Sequence, residues 1–286
     1  DSAPEIDVAS IEPSGYATMV YDSKRNLTET LVKSGANRLE ATYEELPQCL
    51  IDAFVAIEDA RFWSHKGIDI RSILRAAVGV MTGEPAGGGS TITQQLIKNN
   101  IFEGGNEDTF GEKLERKIQE QYLAVQLEQI MDKKIILKNY LNTINLGNNT
   151  LGVKAAALRY FNKDVSDLTL SEATVIAGIT QAPTRYNPLT ETGRKNNEEK
   201  RRVILQYMYE QGKISKKDQE EALADDVYSR ITNVNLTAQE NETPYSYFTD
   251  ELITQVMEAL QDKLGYTETQ ASNLLFSGGL EIHTTQ

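Results

Sequence analysis

Cysteine occurs once in this sequence, at Cys49, histidine twice, at His65 and His283, and tryptophan once, at Trp63. A single cysteine excludes an internal disulfide and any cysteine metal cluster. Its setting, the apolar-rich stretch from Leu46 to Val55, predicts an inert buried thiol. The two histidines lie far apart in sequence, which excludes a multi-histidine metal site. A Ser-His-Asp triad would have to rest on His65, and no G-x-S-x-G elbow accompanies it. Runs of about eighteen apolar residues are missing too, so no segment reads as a membrane span. The chain opens on Asp1 without a basic-then-apolar signal pattern, and we expect that a segment upstream has been removed.

The 286 residues suffice for one large domain or two modest ones, and 40% hydrophobic with 25% charged residues is ordinary for a globular protein. The formal charge of −13 looks unsuited to a phosphate ligand until it is located. Between Asp218 and Gln286 stand 13 of the 42 acidic residues and only Arg230 and Lys263 among the 29 basic ones. The acidity therefore belongs to the last quarter, and the rest of the chain is close to neutral.

Residues 1–15 read as a polar linker, and Tyr16–Tyr21 with Leu27–Val32 as a β-hairpin. From Glu44 the pattern turns helical. One helix is predicted from Pro47 to about Ser64, with Pro47 in its first turn and Gly67 as a stop. Others are predicted near 70–81, 91–100, 112–131, 133–145, 152–160, 171–180, 194–211, 215–224, 247–264 and 267–275. Loops are expected at 83–89, at 233–244 and along QAPTRYNP, and a final strand at 278–286 that looks like the first of something absent. Domain boundaries follow: 1–43 linker and hairpin, 44–224 the main domain, 225–286 an acidic connector.

Four segments could carry chemistry. In a helix running on to Ser64, Glu58, Phe62 and His65 share a face, and a carboxylate beside aromatics is suited to general-base work. A solvated Glu-Asp pair would look the same. Gly87-Gly-Gly-Ser-Thr-Ile-Thr-Gln-Gln-Leu-Ile-Lys-Asn99 is a glycine loop entering a helix, with Thr91 and Gln94 as a capping box. Such a helix start favours an anion, and Thr91, Gln94 or Gln95, and Lys98 fall on one face. A well-capped helix after a flexible loop is the plain alternative. Around Glu120, Lys113, Arg116 and Lys117 lie within about 60° on the helix, opposite an apolar stripe of Leu114, Ile118, Tyr122 and Val125. That carboxylate could steady a pyrophosphate or a cation, or simply pair with Arg116. The run Ala155–Ala157 reads as close helix packing, and Tyr160 and Phe161 as core.

In this order the segments resemble the glycosyltransferase domain of class A penicillin-binding proteins, from about Pro47 to Leu223. The motifs are EDARFWSHKG at 58–67, GGSTITQQLIKN at 88–99, RKIQEQYLAVQLE at 116–128, the YLN to YF series at 140–161 and LTLSEATVIAGITQAPTRYNP at 168–188. PYSYFTDELI and LLFSGGLEIHTT look like the connector toward a transpeptidase domain, which is absent, since no S-x-x-K with a K-T-G partner occurs. Glu112, Lys138 and the stretch INLGNN depart from the family pattern, which bears on fine substrate contacts.

The resemblance implies a mainly α, lysozyme-like two-lobed fold with a small N-terminal β-hairpin. It implies polymerisation of lipid II into glycan strands by inverting transfer from a lipid-pyrophosphate donor to the GlcNAc 4-hydroxyl. Glu58 and Glu120 would be catalytic, and Ser90, Thr91, Gln94, Gln95, Lys98, Asn99, Arg116 and Lys117 would bind substrate. A divalent cation, Mg2+ or Mn2+, could sit near Glu120. The implied partners are lipid II, the lipid-linked strand, a membrane surface met by IRSILRAAVGVM at 70–81, and moenomycin-type inhibitors at the donor site; no nucleic acid is expected. The implied location is the extracytoplasmic face of the bacterial cell membrane, with the anchor outside this chain. The alternatives are a lysozyme-like lytic enzyme and a non-catalytic lipid-binding scaffold.

Overall fold

Asp22 starts the hairpin turn. Its carboxylate accepts from the backbone N–H of Lys24 and Asn26, each at 2.8 Å, and from the Asn26 amide, while Arg25 takes a left-handed conformation at φ 63°. The strands β1 (Thr18–Tyr21) and β2 (Leu27–Leu31) pair antiparallel across it. This is a computed structural model, and it describes residues 11, 15–16, 18–31, 39–82, 88–102, 109–148, 150–234, 247–266, 271, 274–276 and 278–285. Most of the expected linker at 1–15, loop residues 83–87 and 235–246, and most of the expected helix at 267–275 lie outside the described residues.

The mainly α expectation holds. The helices are α1 (Gln48–Glu58), α2 (Ile70–Thr82), α3 (Ile92–Asn100), α4 (Phe110–Ile130), α5 (Lys133–Thr143), α6 (Val153–Phe161), α7 (Leu170–Ala177), α8 (Glu191–Glu210), α9 (Lys216–Ala224) and α10 (Tyr247–Leu264). Local chemistry sets their starts. Thr91, Thr109, Thr169 and Ser215 each cap the helix that follows, with a reciprocal contact from Gln94, Glu112, Glu172 and Asp218. α1 packs on α7 and α8, and α3 on α4 and α5. Phe54, Leu96, Leu123, Leu127, Tyr140 and Tyr160 are wholly buried in the core between them. Burying a large apolar side chain stabilises by about 1.5–3 kcal/mol, so this interior holds the helices that carry the site.

The expected last strand finds its partner within the chain. β3 (Glu281–His283) runs parallel to β1, giving the sheet order β2-β1-β3. Alternation along β1 decides what each face meets. Met19 packs with Ala155 of α6, and Val20 joins Leu31, Leu275 and, on α10, Leu252 and Val256. The small residue Ala155 thus admits a sheet as well as a helix. Lys154 of α6, nearly buried, reaches Glu45 at 2.7 Å and Glu281 of β3 at 3.5 Å.

One helix is shorter than its sequence pattern suggests. α1 stops at Glu58 instead of Ser64, and Pro47 stands at its N-cap rather than inside it. Asp59 leaves the helical conformation, φ −158° and ψ 74°, and turns its carboxylate inward, where Oδ2 accepts from Ile92 N–H at 3.0 Å and contacts His65 Nε2 at 2.8 Å. A buried carboxylate needs such partners, and α1 unwinds to supply them. Residues 59–67 then close on Gly67, φ +87°, where an added Cβ would lie 2.3 Å from the Ala124 carbonyl oxygen. Gly67→Ala is expected to lower the melting temperature by about 10 °C or more, because it combines strain with a backbone clash. A melting curve within two degrees of the parent would contradict that.

Candidate active site

A cleft of about 920 Å³ opens at the C-terminal end of α1, and Glu58 lines it. Two contrasting sets of side chains stand out in its lining. Arg75 of α2, Lys98 of α3, and Arg116 and Lys117 of α4 form a cationic wall, and Gly88 and Ser90 line the cleft as well. Gln181, Tyr207, Glu210 and Gln211 form a wall that is polar and aromatic. Gln211 is tied to the foot of α1, since its amide donates to the Ala56 carbonyl at 3.1 Å.

Both oxygens of Glu58 are held. Gln95 Nε2 donates to Oε2 at 3.0 Å, and Thr180 Oγ1 donates to Oε1 at 2.8 Å. Behind Gln95, the Tyr140 hydroxyl donates to its Oε1 at 3.2 Å. Burial pushes the Tyr140 phenol well above its ordinary range, helped by the charges of Glu58 and Asp59, so it keeps the proton it donates. Lys200, hydrogen bonded to Gln181 at 2.7 Å, is held below the usual lysine range by burial, which the charge of Glu58 partly offsets.

Glu120 lies behind the cationic wall, wholly buried. Arg116 pairs with Oε1, and Lys117 with Oε2 at 2.8 Å. Lys117 also donates to Ser90 Oγ at 2.7 Å, tying α4 to the glycine loop. The carboxylate therefore aims two cations at the cleft, and each of its oxygens already faces a cationic partner that would repel a metal ion. Among the described residues no group of three His, Cys, Asp or Glu could hold one either. The expected cation at Glu120 does not fit these donors, and no step below uses one.

At the α2 edge, Arg61 grips Asp69 through two nitrogens at 2.6–3.0 Å, and Ser72 Oγ donates to Asp69 at 2.8 Å. Burial raises the Asp69 pKa, but these hydrogen bonds outweigh it and bring it down to about 2. His65 has its own structural work. Its Nδ1 lies 3.3 Å from Lys133 Nζ, which also bonds Glu128 at 2.8 Å, and Thr93 donates to the same Glu128 oxygen at 2.6 Å.

The cleft brings together Glu58, Ser90, Gln95, Lys98, Arg116 and Lys117 of the residues expected from sequence. Thr91 and Gln94 are not among its lining. Both are buried in the capping box, where Thr91 Oγ1 also donates to the Gly67 carbonyl at 2.6 Å. Asn99 does not line it either. The shared face of Glu58, Phe62 and His65 is corrected as well, because the helix ends at Glu58. Phe62 is buried against Trp63, His65 and Lys133 instead. Sequence reasoning missed Thr180, Gln181, Tyr207, Glu210 and Gln211. The first two stood inside a quoted motif without a role, and the last three carried no pattern apart from an ordinary solvated helix end.

The transglycosylase family profile matches residues 24–209. The chain is 39% identical over 292 residues to penicillin-binding protein 1A of Clostridium perfringens strain 13, across 99% of this chain and 42% of that protein. It is 38% identical to penicillin-binding protein 1A of Aquifex aeolicus, across 94% of this chain and 33% of that one. A crystal structure of penicillin-binding protein 1A from Haemophilus influenzae is 23% identical with a TM-score of 0.42, covering 95% of this chain and 27% of that one. The chain thus spans well under half the length of the curated relatives it resembles. Its ordered motifs, its cleft and the profile match agree: this chain belongs to the transglycosylase family.

Proposed function

We propose that this chain is a peptidoglycan glycosyltransferase that polymerises lipid II. The observation that carries the reading is Glu58, held at both oxygens, in a cleft that also presents Arg75, Lys98, Arg116 and Lys117. The GlcNAc 4-hydroxyl of the acceptor gives its proton to Glu58 and attacks the anomeric carbon of MurNAc on the growing strand. The bond to the lipid pyrophosphate breaks as the new one forms, with inversion from α to β. A pyrophosphate leaves without a proton, so its charge must be met, and the cationic wall meets it. Tyr207, Glu210, Gln211 and Gln181 lie where an acceptor sugar beside Glu58 would find an aromatic face and hydrogen-bond partners. A lytic enzyme acting on finished glycan has no use for four clustered cations.

Incubating the chain with lipid-linked disaccharide-pentapeptide in detergent and resolving products by gel tests this reading. A polymer ladder supports it. Muropeptides released from purified cell wall, without a ladder, would replace it with a lytic activity.

The membrane surface belongs to the same proposal. Among the described residues no helix is long and apolar enough to cross a bilayer. Yet α2 exposes Ile70, Leu74 and Val78 at 57–63%, with Arg71 and Arg75 beside them. Leu114, Ile118 and Tyr122 form a second exposed stripe on α4. Apolar stripes flanked by arginines suit the interface of an anionic bilayer, on the extracytoplasmic side where lipid II is consumed. Leu74→Glu should weaken cosedimentation with anionic phospholipid vesicles about tenfold or more. Unchanged cosedimentation would remove α2 from the contact.

A further inference from the structure

The two groups that hold Glu58 are not equivalent. Tyr140 keeps its proton and spends it on Gln95 Oε1, which fixes the amide so that only its NH2 faces Glu58. Gln95 can therefore donate to Glu58 but cannot accept from it. Thr180 is different. Its Oγ1 lies 2.8 Å from Glu58 Oε1 and 3.1 Å from the Ala177 carbonyl oxygen, and a hydroxyl has one proton for the two acceptors. A general base changes charge during turnover. Before the reaction it is a carboxylate that accepts only; after it, a neutral acid that is a weaker acceptor and has a proton to donate.

We infer that Thr180 is a positioning residue whose hydroxyl proton follows the charge of Glu58. It points to Oε1 while Glu58 is a carboxylate, and turns to the Ala177 carbonyl once Glu58 has taken the proton of the sugar hydroxyl. The Thr180 oxygen is then free to accept from the new carboxylic acid. No bond at Thr180 forms or breaks, and the only proton transferred goes from the acceptor hydroxyl to Glu58. The arrangement keeps Glu58 hydrogen bonded in both of its states without moving a backbone atom. Thr180 sits just beyond α7 and Gln95 on α3, so the base is held from two segments other than its own helix. The inference rests on the reading of Glu58 as general base.

The test is steady-state polymerisation by the full chain, with Thr180→Val, Thr180→Ala and Thr180→Ser as variants and thermal unfolding as the check on folding. Thr180→Val keeps the shape of the side chain and loses the hydroxyl. It should lower kcat about 10–100-fold, the worth of a hydrogen bond to a charged group, with KM changed less than about threefold. Thr180→Ser should recover most of kcat. Should Val fail to fold, Ala carries the same readout. Parental kcat in the folded Val or Ala variant would overturn the inference, as would a Ser variant as impaired as either. A wild-type chain that makes no polymer would instead overturn the proposed function.

Discussion

Glu58→Gln should abolish the polymer ladder, with kcat down by at least 10²–10⁴-fold, the usual span for a lost general base. The fold should survive it. A glutamine at this position can turn its carbonyl to Gln95 Nε2 and its NH2 to Thr180, whose proton then goes to the Ala177 carbonyl 3.1 Å away. Every buried partner keeps a mate, so the melting temperature should stay within a few degrees. Loss of turnover with an intact melting curve would separate chemistry from stability. Near-normal turnover would sink Glu58 as the base.

Glu120→Gln should damage both properties. It removes the charge that holds Arg116 and Lys117, whose side chains are 15% and 37% exposed, while Glu120 itself is 1% exposed. Breaking a buried ion pair from one side costs about 3–5 kcal/mol, and the lower end applies here because Lys117 reaches water. The two cations then repel one another across adjacent positions, and the Lys117 contact to Ser90 loosens with them. Polymerisation should fall more than about a hundredfold, since the pyrophosphate-facing wall loses its geometry. Excess Mg2+ or Mn2+ should not restore it. Metal rescue of the variant would reinstate a cation role that the paired oxygens of Glu120 argue against.

The sequence was legible where local signals decide the outcome. The capping box of Thr91 and Gln94 announced the start of α3, and the hairpin turn at Asp22 followed from side-chain chemistry within five residues. The end of α1 was not legible, because it depends on Ile92 N–H, 33 residues away in sequence, as a partner for Asp59. Helical periodicity alone carried Glu58 onto a face with Phe62 that does not exist. Among the candidate ligands, Gln94 and Gln95 are adjacent and chemically identical, yet one closes the cap and the other meets Glu58. Spacing from Thr91 singles out Gln94 for the cap, but that Gln95 meets Glu58 depends on how α3 packs. Thr180 was invisible for the same reason: its partner lies 122 residues earlier.

The sheet has a mechanical consequence. β1 and β3 run parallel although some 260 residues separate them, joined by Met19 N–H to the Leu280 carbonyl and Thr284 N–H to the Tyr21 carbonyl, each at 2.8 Å. A pull applied to the chain ahead of Thr18 and beyond His283 would drag these strands past one another lengthwise. Their hydrogen bonds would then resist together, in shear, rather than opening one at a time. Tension would run across two short strands, β1 and β3, and bypass the helices, so the distances around Glu58 are expected to hold while the chain is under load.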